Sequence, residues 1–275
     1  NDIQAAGGCV GYQRTGKISG NTYAKNLTAT NNIVSGKQAG GLIGAAKGEL
    51  RLEQATVTGG SVQSDYMAGG LVGYFAVGSG TVFQRTSGDT RDNTVTNVTI
   101  SGRSAGGAFG AWETSQTVRM ENIAVSGCTI IGKPQLIGTT LASGDAGGMI
   151  GCFLNGSGSA LQQIYNSKVE GNTVMCETVA ETVSDEEKDK ISAGGMIGRV
   201  RADSTGDLKC DGITLTNNKI GIRKSGTTDG SLVTSDGKTL AASVDMNQYT
   251  EAQKHYQVLE KIKKTYKFAM SYLIM

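Results

Sequence analysis

Ala39-Gly40-Gly41-Leu42-Ile43-Gly44 decides how this chain is read, because the same phrase stands at six places. The other copies are Ala6-Gly7-Gly8-Cys9-Val10-Gly11, Ala68-Gly69-Gly70-Leu71-Val72-Gly73, Ala105-Gly106-Gly107-Ala108-Phe109-Gly110, Ala146-Gly147-Gly148-Met149-Ile150-Gly151 and Ala193-Gly194-Gly195-Met196-Ile197-Gly198. Their alanines lie 33, 29, 37, 41 and 47 residues apart. A phrase returning at intervals of this size marks a repeat architecture, in which each unit buries its apolar side against the next.

A second motif follows each phrase. Its clearest copies are Asn122-Ile123-Ala124-Val125-Ser126-Gly127-Cys128-Thr129-Ile130, Asn166 to Val174 and Gly212 to Ile220, with earlier copies read from Asn26, Gln54 and Asn97. Upstream of it lie short alternating runs such as Leu50-Arg51-Leu52, Val118-Arg119-Met120, Leu161-Gln162-Gln163-Ile164 and Leu208-Lys209-Cys210. Alternation of this kind is the half-buried strand signal. Gly, Asn, Ser and Thr fill the intervals and supply turns. Gly accounts for 41 of 275 residues while Pro appears once, as Pro134. Many turns without lost backbone donors suit a stacked ladder of strands.

The expected fold is all-β: a parallel β-helix (a β-solenoid) of about six coils with three short strands per coil. Strands of successive coils pair about 4.8 Å apart, so the array is about 30 Å long. Equivalent residues then stack, with Leu, Met, Ile and Val in the lumen. Cys9 and Cys210 stand at such apolar positions and read as small core residues.

The phrase Gly-Gly-Leu-Ile-Gly or Gly-Gly-Leu-Val-Gly resembles the GLUG motif of bacterial surface proteins. That repeat occurs in adhesin-like proteins and in non-catalytic regions of immunoglobulin A-type surface metalloproteases. The resemblance covers residues 6 to about 220, with departures at Cys9, Ala108 and Arg199. It implies a parallel β-helix exposed outside the cell, and carries over no catalytic residue.

Composition narrows the function. The chain has 26 basic and 24 acidic side chains for a net charge of +2, which builds no one-signed field for nucleic acid. The five cysteines form no Cys-x-x-Cys pair, so neither a zinc site nor a disulfide framework is indicated. No apolar run is long enough to span a membrane. The single histidine, His255, lies far from the repeats, which removes histidine-dependent nucleophile pairs from them. Asp89, Asp92, Asp203, Asp207 and Asp211 fall at non-equivalent turn positions and suggest no glycosidase pair. No enzyme activity, cofactor or metal is expected.

Two insertions follow the third strand, Gly132 to Asp145 and Cys176 to Ser192, and a third spans Phe75 to Asp92. Such excess length maps to outer loops and to recognition of a protein or glycan ligand. The acidic run Ser184 to Lys190 reads as a solvated loop or short surface helix, with a cation or partner site as the alternative. Residues 1–238 are assigned to the repeat domain and 239–275 to a helical cap or linker. There Thr250-Glu251-Ala252-Gln253 resembles a capping box. Ala252, Tyr256, Leu259, Ile262, Tyr266, Ala269 and Leu273 make one face of an amphipathic helix. The chain starts at Asn1 and stops on Leu273-Ile274-Met275, and is read as a segment of a longer protein with end-to-end contacts to flanking domains.

Tyr12 and Tyr74 each follow the last glycine of their phrase, and Trp112 is the one tryptophan. These three are the candidate ligand contacts. The expected function is a non-enzymatic structural or adhesive module of a secreted or cell-surface protein. The alternatives are a non-catalytic region of a larger surface protease or glycan-active enzyme, and a self-assembling filament subunit.

Overall fold

The structure, a computed structural model, describes residues 5–14, 22–47, 50–77, 93–114, 118–138, 140–155, 161–178, 190–201, 207–223 and 232–233. Strand and turn make up the described residues, with no helix among them. The expected helix and capping box near residue 250, and most of the Phe75 to Asp92 and Cys176 to Ser192 insertions, lie outside the described residues.

Each period pairs in parallel with the next, residue on equivalent residue. Six strands form one sheet: Val10–Arg14, Ile43–Lys47, Val72–Val77, Phe109–Thr114, Ile150–Asn155 and Ile197–Val200. The glycine phrases lead into these strands. Across the turns before them, Leu42 N donates to Leu71 O at 3.1 Å, Leu71 N to Ala108 O at 2.9 Å, Ala108 N to Met149 O at 2.9 Å and Met149 N to Met196 O at 2.8 Å. Leu42, Leu71, Ala108 and Met149 therefore form one column, and none has exposed surface.

The alternating runs pair next, Thr22–Lys25 with Leu50–Glu53, and Val118–Glu121 with Leu161–Tyr165, which pairs on its other side with Asp207–Asp211. A second six-stranded sheet follows, of Thr28–Thr30, Thr56–Thr58, Asn93–Thr96, Ile123–Ser126, Lys168–Glu170 and Thr214–Thr216. Its inward column runs Ala29, Val57, Val95, Val125, Val169, Leu215. Apart from one two-stranded hairpin, the remaining strands join an eleven-stranded sheet, with the column Val34, Val62, Ile100, Ile130, Val174, Ile220. These columns meet in one apolar core. Period-two alternation puts one residue in two on that side of each strand.

The second motif is a pair of corners. One or two residues before five of the short strands of the second six-stranded sheet, positive φ is taken by Asn26, Gln54, Asn122, Asn166 and Gly212. The residue after each of these strands takes it at Asn31, Gly59, Asn97, Gly127, Gly171 and Asn217. Asn and Gly bear this left-handed conformation at least cost. Register corrects one reading. Val95 pairs with Val125 and Thr96 with Ser126, so Asn97 is the equivalent of Gly127 and its copy begins at position 92.

The strand count is also corrected. The period from Ala105 holds five ladder strands, Phe109–Thr114, Val118–Glu121, Ile123–Ser126, Thr129–Gly132 and Gly144–Gly147, where three were expected. The left-handed corner splits the run expected as the third strand, and the turn at the double glycine splits the phrase itself. In earlier periods the last two strands are continuous, as Ser61–Gly69. That strand pairs by its first half with Thr99–Gly102 and by its second with Ser104–Gly106. The eleven-stranded sheet forks there, and the insertions of later periods open at this fork.

Candidate functional site

The two candidate tyrosines lie on the side of the first six-stranded sheet that also carries the buried Ala45, Ala111 and Cys152. Tyr12 and Tyr74 both pair with Ala45, so they stand in one column with one period between them. Their separation is two strand spacings, about 9–10 Å. Tyr12 is 41% exposed and Tyr74 is half-buried. Ala45 between them is fully covered.

Two charged residues flank the column. Lys47 and Glu113 lie two positions beyond Ala45 and Ala111, on the same side of the sheet. The Lys47 ammonium sits 5.8 Å from the centre of the Tyr74 ring, and the Tyr74 hydroxyl donates to Glu113. Burial, then the bond to the Glu113 carboxylate, hold the Tyr74 phenol above its ordinary range. The ring is thereby fixed from two sides. The sequence reading missed Lys47 and Glu113. Both stand eight residues after their phrase's alanine, as Tyr12 and Tyr74 stand six after theirs, and that shared offset is the signal that places them.

Trp112 is not on this surface. It stands seven residues after its alanine, so alternation turns it inward. It has no exposed surface. Its ring lies 5.9 Å from Phe75, 5.7 Å from Phe109 and 5.9 Å from Phe153. With Leu50, Leu52 and Met120 it borders a cavity of about 20 Å³, room for about one water.

Other surface features lie apart. Tyr165 is bracketed by the Arg119 guanidinium at 4.6 Å and the Lys209 ammonium at 5.8 Å, and Arg119 pairs with Glu121 at 3.1 Å. In the insertion at the fork, Gln135–Ile137 and Thr140–Ala142 form an antiparallel hairpin. Leu136 and Ile137 at its tip are 61% and 55% exposed. Cys9 keeps its place in the apolar column, its amide donating to Leu42 O at 2.9 Å. It is nevertheless exposed, because it ends that column among the described residues.

The most buried charge among the described residues is structural. Asp145 is 1% exposed and accepts from Ser192 at 2.8 Å, from Ser104 at 3.2 Å and from Arg199. Ser104, Asp145 and Ser192 are one column, and Arg199 reaches it from the neighbouring sheet. Burial pushes the nearby Cys152 thiol up to about 12. No group of three or more His, Cys, Asp or Glu among the described residues is placed to hold a metal ion. No helix among them is long and apolar enough to cross a membrane.

No family model matches the chain, and neither a curated protein nor a solved structure does.

Proposed function

We propose that the six periods wind as a parallel β-helix and that the chain is a non-enzymatic structural and adhesive module of a secreted or cell-surface protein. The observation that carries this is the in-register parallel pairing of equivalent residues from Ala29 through Leu215. Such stacking turns a repeated letter into a continuous strip on the outside, a surface suited to an extended ligand. The likeness of the glycine phrase to the GLUG motif supports the extracellular setting and the adhesive role. The outer hairpin and the tyrosine face are the recognition elements.

Beads coated with the chain are expected to be retained on at least one arrayed glycan or matrix protein, and the ligand to be recovered intact. Cleavage of the ligand, or no retention on any surface, refutes the reading.

A further inference from the structure

Asn31, Asn97 and Asn217 occupy equivalent corners after short strands of the second six-stranded sheet. All three are exposed and left-handed, with φ of 53°, 57° and 54°. Only Asn97 has a hydroxyl residue two positions on, in Asn97-Val98-Thr99, against Asn31-Asn32-Ile33 and Asn217-Asn218-Lys219. We propose that the side-chain amide of Asn97 accepts an N-linked sugar on the folded chain. Asn26, which opens Asn26-Leu27-Thr28 at the other corner, is a second acceptor. This assigns a modification site and goes beyond the binding-module reading.

The triplet Asn-x-Thr, with x other than proline, is the acceptor signature of N-glycosylation and belongs on an exposed surface. The fold presents it so. Val98 is 1% exposed and part of the core, which leaves Asn97 and Thr99 on either side of it exposed together. Leu27 packs on the same core between the exposed Asn26 and Thr28. Room for a sugar is built in at Asn97. Its neighbours in the column, about 4.8 Å away on either side, are Gly59 and Gly127, which have no side chain to collide with one. The carboxamide already leans over Gly127, where an added Cβ would meet its oxygen at 2.3 Å.

The amides of Asn97 and Asn26 make no hydrogen bond to another described residue. Other asparagines are engaged or lack the hydroxyl. Asn93, Asn172 and Asn218 are buried and donate to carbonyl oxygens. Asn166 donates to Glu121 at 3.4 Å and is followed two on by Lys168, as Asn122 is by Ala124. A third triplet, Asn155-Gly156-Ser157, has its last two residues outside the described ones. The transfer is a substitution at the anomeric carbon of a nucleotide-activated sugar. The Asn97 nitrogen bonds to that carbon, and the bond from carbon to diphosphate oxygen breaks. The nucleoside diphosphate leaves with the electron pair, and one of the two amide protons passes to a base of the transferase.

The folded whole chain, incubated with UDP-glucose and a soluble asparagine N-glucosyltransferase and then mapped by tandem mass spectrometry, tests this. One hexose is expected on Asn97 and one on Asn26, with none on Asn31, Asn122, Asn166 or Asn217. Thr99→Ala should lose the Asn97 sugar and Thr99→Ser should keep it. Ile33→Thr gives Asn31 the same triplet at the same corner and should gain a sugar there. Thr99 and Ile33 are exposed, so these variants keep the wild-type melting temperature. An unsugared Asn97 or Asn26 in the folded chain overturns the proposal, whether or not the urea-unfolded chain accepts sugar. Sugar on Asn31 or Asn217 of the wild type, sugar that survives Thr99→Ala, or no gain in Ile33→Thr overturns it equally. Retention of the coated beads is read on unmodified chain, so failure here and failure of the module reading are told apart.

Discussion

Two glycines in this chain occupy their places for opposite reasons, and substituting each by alanine separates those reasons. At Gly107 an added Cβ would lie 2.1 Å from Gly148 O and 2.5 Å from Val125 Cγ1. The same collision recurs up the column, where Gly41 faces Gly70 O at 2.1 Å and Gly148 faces Gly195 O at 2.0 Å. A period cannot yield without pressing on its neighbour. Making room means parting the bonds from Gly107 N to Gly147 O at 3.1 Å and from Ala108 N to Met149 O at 2.9 Å. Two backbone hydrogen bonds are worth about 1 kcal/mol each, and overpacking adds about 1–3. Gly107→Ala should therefore cost about 3–5 kcal/mol. Gly171 differs, with φ of +64° and nothing within 4 Å of an added Cβ. Gly171→Ala should cost only the left-handed penalty, about 1–2 kcal/mol. Gly171→Asn should cost less still, since Asn31, Asn97 and Asn217 take the same corner at φ of 53°, 57° and 54°. Urea unfolding followed by circular dichroism ranks the three. If Gly107→Ala falls within about 1 kcal/mol of wild type, or costs less than Gly171→Ala, the crowded column is not what fixes those glycines.

Asp145→Ala removes the carboxylate that Arg199, Ser104 and Ser192 point at. It should cost about 3–5 kcal/mol in urea, with most of that recovered in the Asp145→Leu/Arg199→Met pair. Asn172→Leu strips a buried side chain that accepts from Cys128 N at 2.8 Å and donates to Val125 O at 3.1 Å. A loss of about 2–3 kcal/mol is expected, and one below about 1 would mean that water replaces the amide. Ellman's reagent at pH 8 should titrate Cys9 at once, the half-buried Cys210 more slowly, and Cys128, Cys152 and Cys176 only after unfolding. Three or more native thiols would contradict the buried core. Burial raises Cys128 to about 11 and Cys152 and Cys210 to about 12, from an ordinary 9.0. Their share of stability is thus fully present below pH 9 and is lost as pH rises from 9 towards 12, because the unfolded chain releases these protons first. Replacing Cys152 by Ala should flatten that decline, and an unchanged slope would rule Cys152 out as a source. Deleting Ala39 to Met67 removes one whole period and should leave a shorter chain that still unfolds cooperatively. An aggregated or unstructured product would count against the winding of periods.

The letters of the sequence determined the stacking. Ala39-Gly40-Gly41-Leu42-Ile43-Gly44 and its copies repeat because equivalent residues touch, and contact between like positions is a constraint a single sequence displays directly. The inward columns through Val125 and Ile130 were legible for the same reason, and so was the alignment of Tyr12 with Tyr74. Three matters needed the tertiary structure. The number of strands per period depends on where the backbone turns left-handed, and Asn or Gly permits that turn without compelling it. The start of the third period's corner motif was misplaced from Asn97 because Asn serves both corners, and only the pairing of Val95 with Val125 separates them. The inward turn of Trp112, one residue beyond the tyrosine offset, follows from strand parity counted past a glycine whose own place in the ladder no composition reveals. The meeting of Asp145 with Arg199 joins residues 54 apart on two different sheets, and no periodicity announces such a pair, because it occurs once and its partners occupy different positions within their periods.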